Sequence, residues 1–218
     1  MDVAQSFSEY VLNEQNELEK MNIVRYLQKK MQEKNIYFFY DKSVLLKAEL
    51  AKMFIEEMNI VEVDKNLVVT ACLVMGCKKN NNPQDLTKVK MFAKESADFL
   101  RSDMFGFSDD FCNICEGYNR YSGVKRTRET DILELVDNFG GMLVHRYDRQ
   151  GFSVQDALCL LKERNLKGLN NMYLDKFVQF VDKMEIETVN DSTIVKAETP
   201  YITHLAKVLN KVGDFDYE

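Results

Sequence analysis

The stretch Asp137–Arg149, DNFGGMLVHRYDR, belongs to a segment whose apolar residues recur with a helical period. The apolar stripe of this segment consists of Ile132, Leu135, Val136, Phe139, Met142 and Leu143. Asp137 lies away from the centre of the stripe, on the side that carries Gly140 and Gly141. Adjacent glycines allow a neighbouring helix or a ligand to approach the backbone closely. The stretch therefore predicts a helix whose one carboxylate either pairs with a lysine or arginine or binds a ligand.

Apolar periodicity on both sides of this stretch predicts an all-α, single-domain helical bundle. We expect a long N-terminal helix over about 4–34, and Ser43, Asp64, Ser153 and either Thr127 or Thr130 as helix N-caps. The helix at 67–75 is apolar nearly all round and is predicted to be central and buried. The Val/Thr-rich tail after residue 185 is compatible with a short β-hairpin, and 200–211 predict a final helix. The predicted core is Cys72, Leu73, Val74, Phe92, Leu135, Val136, Phe139, Leu143, Leu158, Leu161, Phe177 and Val181.

The composition excludes several classes of protein. The 29 basic and 35 acidic residues give a net charge of −6, which argues against binding to a nucleic-acid backbone. No apolar run approaches the roughly 18 residues that cross a bilayer, and the first residues do not resemble a secretion signal, so we expect no membrane contact. Five cysteines, an odd number without a small disulfide framework, favour reduced thiols and a cytoplasmic location.

Two local patterns suggest ligands. Cys112 and Cys115 form a C-x-x-C pair, but zinc needs further ligands and the only histidines are His145 and His204. We therefore interpret the cysteines as buried or half-buried thiols. The segment NRYSGVKRTR, residues 119–128, concentrates positive charge and is interpreted as a solvated surface, with phosphate binding as the alternative.

The segment Ile132–Leu158, ILELVDNFGGMLVHRYDRQGFSVQDAL, resembles the HD-GYP branch of the HD-domain phosphohydrolases. In this resemblance Asp137 matches a metal-ligating aspartate, and Arg146 and Arg149 match two conserved basic positions. Ser153, Ala157 and Leu158 match the helix that follows. Lys78 of ACLVMGCKKN matches the lysine of the family's His-Asp segment, and NRYSGVKR falls where the family has its Gly-Tyr-Pro loop. The resemblance spans about 43–183.

The departures from the family pattern concern the metal ligands. The family uses two or three metal ions, usually iron or manganese, to generate the hydroxide that cleaves cyclic di-GMP. In this chain the positions of the family's ligands carry Ser43, Val74, Met75, Phe92 and 113–115, so Asp137 is the one ligand retained. A single carboxylate cannot hold such a centre. These departures from the family pattern therefore lead us to expect no catalytic residue, no metal site and no cofactor.

These observations leave three hypotheses. The first is a non-catalytic HD-GYP-like signalling or interaction module, descended from cyclic di-GMP phosphodiesterases, that acts through a protein partner or self-association. The second is a sensor that binds a nucleotide, a cyclic dinucleotide or another phosphate without hydrolysis, through Lys78, Arg120, Lys125, Asp137, Arg146 and Arg149. The third is a residual metal-dependent phosphohydrolase that uses Asp137, Glu116 and Cys115. The expected organisation is an N-terminal helix for docking or dimerisation at 1–40, a degenerate HD-GYP-like domain at 41–184 and an extension at 185–218.

Overall fold

The computed structural model describes residues 24, 27–40, 42–79, 86–103, 105–144, 150–183, 186–189 and 192–195. The protein is a helical bundle, as the apolar periodicity predicts. Residue 24 and residues 27–33 are helical, and they are the described part of the predicted N-terminal helix. The helices that follow are α1 (Lys42–Glu57), α2 (Lys65–Val74), α3 (Leu86–Arg101), α4 (Asp109–Gly117), α5 (Arg128–Leu143), α6 (Val154–Arg164) and α7 (Leu174–Lys183).

Helix α2 is the central helix, as predicted. The Asp64 side chain accepts a hydrogen bond from the Leu67 backbone N–H and caps its N-terminus. Every residue from Val68 to Val74 is buried, and α2 packs against α1, α4 and α5. An apolar surface on all sides requires such neighbours, because α2 has no face that could be left in water.

Helix α5 begins and ends at sites that its sequence defines. The Thr127 and Thr130 side chains and backbone N–H groups form a reciprocal capping box, which confirms Thr127 as the N-cap. Beyond the C-terminal end at Leu143, the chain returns and the Phe152 N–H donates to the Met142 carbonyl at 2.8 Å. A Cβ on Gly151 would lie 2.2 Å from the Leu143 carbonyl oxygen. This close return of the chain therefore requires glycine.

The predicted core residues are buried, except that Phe92 is half-buried and packs at the edge. Phe177 of α7 is a centre of aromatic packing, since its ring lies 5.1 Å from the Phe54 ring and 5.3 Å from the Phe139 ring. The three rings come from α7, α1 and α5 and meet edge to face, a favourable arrangement for aromatic side chains. This cluster joins α7 to α1 and α5.

The helix caps and the hairpin test the remaining fold predictions. Ser43 as an N-cap was wrong, because α1 begins at Lys42 and Ser43 is a buried residue of its first turn. Asp64 and Ser153 do cap their helices. The hairpin is present, with β1 (Ile186–Val189) antiparallel to β2 (Ser192–Val195). The predicted helix at 200–211 lies outside the described residues. Within the described ranges, none of the helices combines the length and apolarity that crossing a bilayer requires.

Candidate functional site

Asp137 of α5 forms an ion pair with Lys47 of α1. The Lys47 Nζ donates to Asp137 Oδ1 at 2.7 Å, and the two side chains are 5% and 19% exposed. The two residues are far apart in sequence, so the pair joins two helices rather than two turns of one helix. Of the two interpretations of Asp137 in the sequence, the structure shows the pairing with a lysine.

Gly140 and Gly141 make room for the Lys47 side chain. A Cβ on Gly140 would lie 2.9 Å from Lys47 Cγ, and a Cβ on Gly141 would lie 3.8 Å from Lys47 Cε and Nζ. The lysine stem therefore runs along the two glycines and ends at the carboxylate one turn away. The close-approach surface predicted from the glycine pair is occupied by helix α1.

The charges of this ion pair act on one buried thiol, Cys72, and on the buried phenol of Tyr118, and two further buried thiols are Cys77 and Cys115. Burial raises the pKa of the Cys72 thiol well above its usual range; the Lys47 ammonium opposes this shift and the Asp137 carboxylate adds to it. Burial raises the pKa of Cys77 to about 12, and it also raises the pKa of Cys115. Burial raises the pKa of the Tyr118 hydroxyl, and the charge of Asp137 adds to this effect. These groups are protonated at neutral pH, so they supply neither a thiolate nucleophile nor a base.

The cysteines are free thiols, and four of the five are buried. Cys159 is exposed, so the interpretation of all five as buried or half-buried was wrong at this position. It lies on α6, where Ala157, Leu158 and Leu161 turn towards the core and Cys159 does not. Among the described residues, no three His, Cys, Asp or Glu side chains converge in a way that could hold a metal ion.

A second buried charged arrangement lies at the N-terminal half of α5. Arg120 donates from Nε and Nη2 to the two oxygens of Glu134, at 2.6 and 2.8 Å. Arg126 donates to Glu134 Oε2 at 2.8 Å, to Asp131 Oδ1 from Nε at 2.8 Å and to the Gly117 carbonyl at 3.0 Å. Arg120 and Arg126 of the basic segment are therefore held in ion pairs, and the interpretation of the segment as solvated charge was wrong for these two arginines.

Asn171 connects this network to the segment before α7. Its Nδ2 donates to Glu134 Oε2 at 2.9 Å and to the Asp131 carbonyl at 2.8 Å, and its own N–H donates to Asn165 Oδ1 at 2.7 Å. Glu134 thus accepts hydrogen bonds from Arg120, Arg126 and Asn171. We name Arg120, Arg126, Asp131, Glu134 and Asn171 the arginine network.

Several of the described residues of the predicted ligand site have partners of their own. Lys78 Nζ donates to the Tyr37 carbonyl at 2.6 Å and lies 3.6 Å from the centroid of the Phe99 ring. Arg120 belongs to the arginine network, and Asp137 pairs with Lys47. Lys125 is exposed. Arg146 and Arg149 lie outside the described residues, so a ligand role for them stays a prediction.

The chain matches no family model, no curated protein and no solved structure in comparisons with known proteins. The candidate site is therefore interpreted from its own geometry. Sequence reasoning missed Lys47, Asp131, Glu134 and Asn171. The one signal that could have found Lys47 is its place in SVLLKAEL, where a lysine interrupts an otherwise apolar helix face.

Proposed function

We propose that this protein is a non-catalytic interaction module, and that it acts by binding another protein or a second copy of itself. The observation that carries this proposal is the Lys47–Asp137 ion pair, which occupies the position where the HD-GYP resemblance would require an open metal site. Descent from cyclic di-GMP phosphodiesterases and a cytoplasmic location are parts of the same proposal and rest on the sequence.

The chemistry around Asp137 supports this function over hydrolysis. A metal-bound hydroxide needs several ligands that converge on open space, together with a path for the substrate. The glycine pair that could have provided this space is covered by the lysine stem. The neighbouring thiols are buried and protonated, so covalent catalysis by cysteine has no reactive group at this place.

Metal analysis combined with a hydrolysis assay tests the proposal. The purified protein is incubated with Mn²⁺ or Fe²⁺, and its metal content and its cleavage of cyclic di-GMP are compared with those of Asp137→Asn. We expect neither stoichiometric metal nor cleavage in either protein, and a defined dimer by light scattering. Stoichiometric metal with cleavage that Asp137→Asn abolishes would overturn the proposal.

A phosphate sensor is the second candidate, and the exposed side chains of the basic segment favour it. Lys125 and Arg128 are exposed, and the Tyr121 ring beside Arg120 is 77% exposed. An aromatic ring with nearby cations can stack on a base and contact a phosphate. Calorimetry with cyclic di-GMP and other nucleotides tests this candidate on the wild type and on Lys125→Ala/Arg128→Ala. Binding that the double variant loses supports it, and no heat at about millimolar nucleotide, an affinity near −4 kcal/mol, removes it.

A further inference from the structure

One face of the N-terminal helix is already used for packing on the core. Within the described part of this helix, Val24, Leu27 and Met31 are 0%, 3% and 4% exposed. Gln32 and Glu33 are exposed. The buried residues recur with a helical period, so this part of the helix contacts the core through a single stripe.

The upstream part of the predicted helix carries its apolar residues on the opposite face. Phe7, Val11 and Leu18 belong to residues 4–21, which lie outside the described residues and which the sequence predicts to be helical. At about 100° per residue these three positions fall within about 40° of one another, whereas Leu18 lies about 180° from Leu27. A continuous helix therefore directs this second stripe away from the core of its own chain. We call residues 4–21 the N-terminal arm.

The N-terminal arm combines its apolar stripe with negative charge. It contains four glutamates and one lysine, and Glu14 and Glu17 border the stripe. An amphipathic helix binds a partner by placing its apolar face on exposed apolar side chains, and charges of opposite sign at the rim fix its position. The arm therefore matches a surface on which apolar side chains lie among lysines or arginines.

Such a surface lies beside the C-terminal end of the N-terminal helix. Tyr37 is 51% exposed and Met91 of α3 is 46% exposed. The Tyr37 hydroxyl donates to the Lys79 carbonyl, and the Lys79 Nζ lies 5.7 Å from the centroid of the Phe92 ring, which follows Met91 in the sequence. These contacts bring the end of the N-terminal helix, the segment after α2 and helix α3 together at one place.

The charge of this place is positive. Lys34 and Lys94 are exposed at its border. Of the carboxylates in the same segments, Glu95 is exposed, whereas Glu33 is paired with Lys30 at 2.9 Å. The excess of positive charge contrasts with the net charge of −6 of the whole chain. We call the following residues the basic surface: Lys34, Tyr37, Lys79, Met91 and Lys94.

The basic surface of the same chain is not within reach of a continuous helix. Residues 24 and 33 are about 14 Å apart along the helix axis, and Tyr37 lies beyond residue 33. The N-terminal arm extends from the other end of this helix and therefore leads away from Tyr37. A second copy is free of this constraint, and a reciprocal exchange of two arms closes a two-fold dimer.

We propose that the N-terminal arm of one copy binds the basic surface of a second copy, so that two chains exchange arms in a two-fold dimer. The apolar stripe of the arm covers Tyr37 and Met91 and removes their apolar area from water. The glutamates of the arm face the lysines of the basic surface. The proposal rests on the proposed function as an interaction module, and it names the partner as a second copy of the chain.

Charge reversal on each side tests the exchange, with light scattering of the full chain at several concentrations as the measurement. Glu14→Lys/Glu17→Lys reverses the arm, and Lys34→Glu/Lys94→Glu reverses the basic surface. Each variant alone should weaken the dimer at least about tenfold, because like charges then face each other. An equimolar mixture of the two variants should form a heterodimer with the affinity of the wild type, since each arm then meets a surface of opposite charge.

The matched control is Lys162→Glu/Lys176→Glu, which reverses two exposed lysines of α6 and α7 and should leave the dimer unchanged. A monomeric wild type, a dimer that neither reversal weakens, or a mixture that associates no better than its components would overturn the proposal. Recovery in the mixture also shows that both variants are folded. These outcomes are distinguishable from a failure of the proposed function, which stoichiometric metal and cleavage report.

Discussion

Helix α5 carries two buried arrangements of charge that are built differently. At Asp137, one carboxylate meets one ammonium from a helix that is distant in the sequence, at 2.7 Å. In the arginine network, two carboxylates meet two arginines from the adjoining loop, and an asparagine and backbone carbonyls complete the hydrogen bonding. The network joins neighbouring segments of the chain, whereas the pair joins α1 to α5 across the core.

The difference shows that buried charged side chains can contribute different amounts to the free energy of unfolding. In the network Glu134 accepts from Arg120, Arg126 and Asn171, and Arg126 donates to several groups, so the loss of one partner leaves both of them partly satisfied. In the pair, the loss of Asp137 leaves the Lys47 ammonium, whose side chain is 5% exposed, without the carboxylate that it contacts. We therefore expect single substitutions at the pair to cost more free energy of unfolding than single substitutions in the network.

The largest effect is expected from Lys47→Met or Asp137→Leu. Asp137→Leu leaves the buried Lys47 ammonium without the carboxylate that it contacts, and Lys47→Met removes that ammonium from Asp137, so each should lower the free energy of unfolding by about 3–5 kcal/mol. Urea denaturation monitored by circular dichroism measures the change. Lys65→Met is the control, because the Lys65–Glu56 pair has the same length of 2.7 Å and is solvent-exposed. A loss at Lys47 no greater than that of the control would show that burial does not set the cost.

The next largest effect is expected from Glu134→Gln, which keeps the shape of the side chain and removes its charge. Arg120 and Arg126 lose the negative charge and one of the two acceptor oxygens that they share, and the free energy of unfolding should fall by about 2–3 kcal/mol. The matched control is Glu163→Gln, which breaks the exposed pair with Lys167 and should not move the urea midpoint. If Glu134→Gln behaves like this control, the network does not contribute to stability.

Substitutions of Gly140 and Gly141 test how closely the Lys47 side chain passes helix α5. Gly140→Ala places a methyl group against Lys47 Cγ, and overpacking should cost about 1–2 kcal/mol despite the better helix propensity of alanine. Gly141→Ala meets ordinary contact distances, so the same propensity should raise the stability by about 0.5–1 kcal/mol. Thermal denaturation of the two variants measures both signs. Equal effects of the two alanines would contradict the close passage of Lys47.

A smaller loss of stability is expected when the pH is raised above 9. Burial raises the pKa of Cys77 from 9.0 to about 12. Between these two pH values the folded protein keeps a proton that the unfolded chain releases. The contribution of this thiol to the free energy of unfolding is fully present below pH 9. It falls as the pH rises, by about 1 kcal/mol between pH 9 and 10. Cys77→Ala should reduce the slope of stability against pH, measured by urea midpoints. A slope unchanged by this substitution would exclude Cys77 as its source.

The sequence predicts the helices and their boundaries well because those depend on neighbouring residues. The capping side chains of Asp64, Thr127 and Ser153 act within three residues, and the buried stripe of α5 follows from its period. Ser43 failed as a cap because a serine before an apolar run can equally be a buried residue of the first turn. Local patterns cannot distinguish these two positions, since packing by the rest of the chain decides between them.

The candidate site was predicted only in part, because its partners are distant in the sequence. Asp137 and the glycine pair indicated a close approach, but nothing in the spacing of residues identifies Lys47 as the side chain that fills it. The basic segment was visible as a cluster, whereas Asp131 and Glu134 look like the polar face of an amphipathic helix. Their burial arises from the loop and from Asn171, which fold over that face.

The most direct test of this account is a double-mutant cycle of Lys47→Met and Asp137→Leu, measured by urea denaturation. Together the two substitutions replace the ion pair by apolar side chains, which is often neutral in a protein interior. We predict that the double variant is more stable than either single variant, with a coupling of about 2–4 kcal/mol. Losses that simply add in the double variant would contradict the claim that Lys47 closes the site at Asp137.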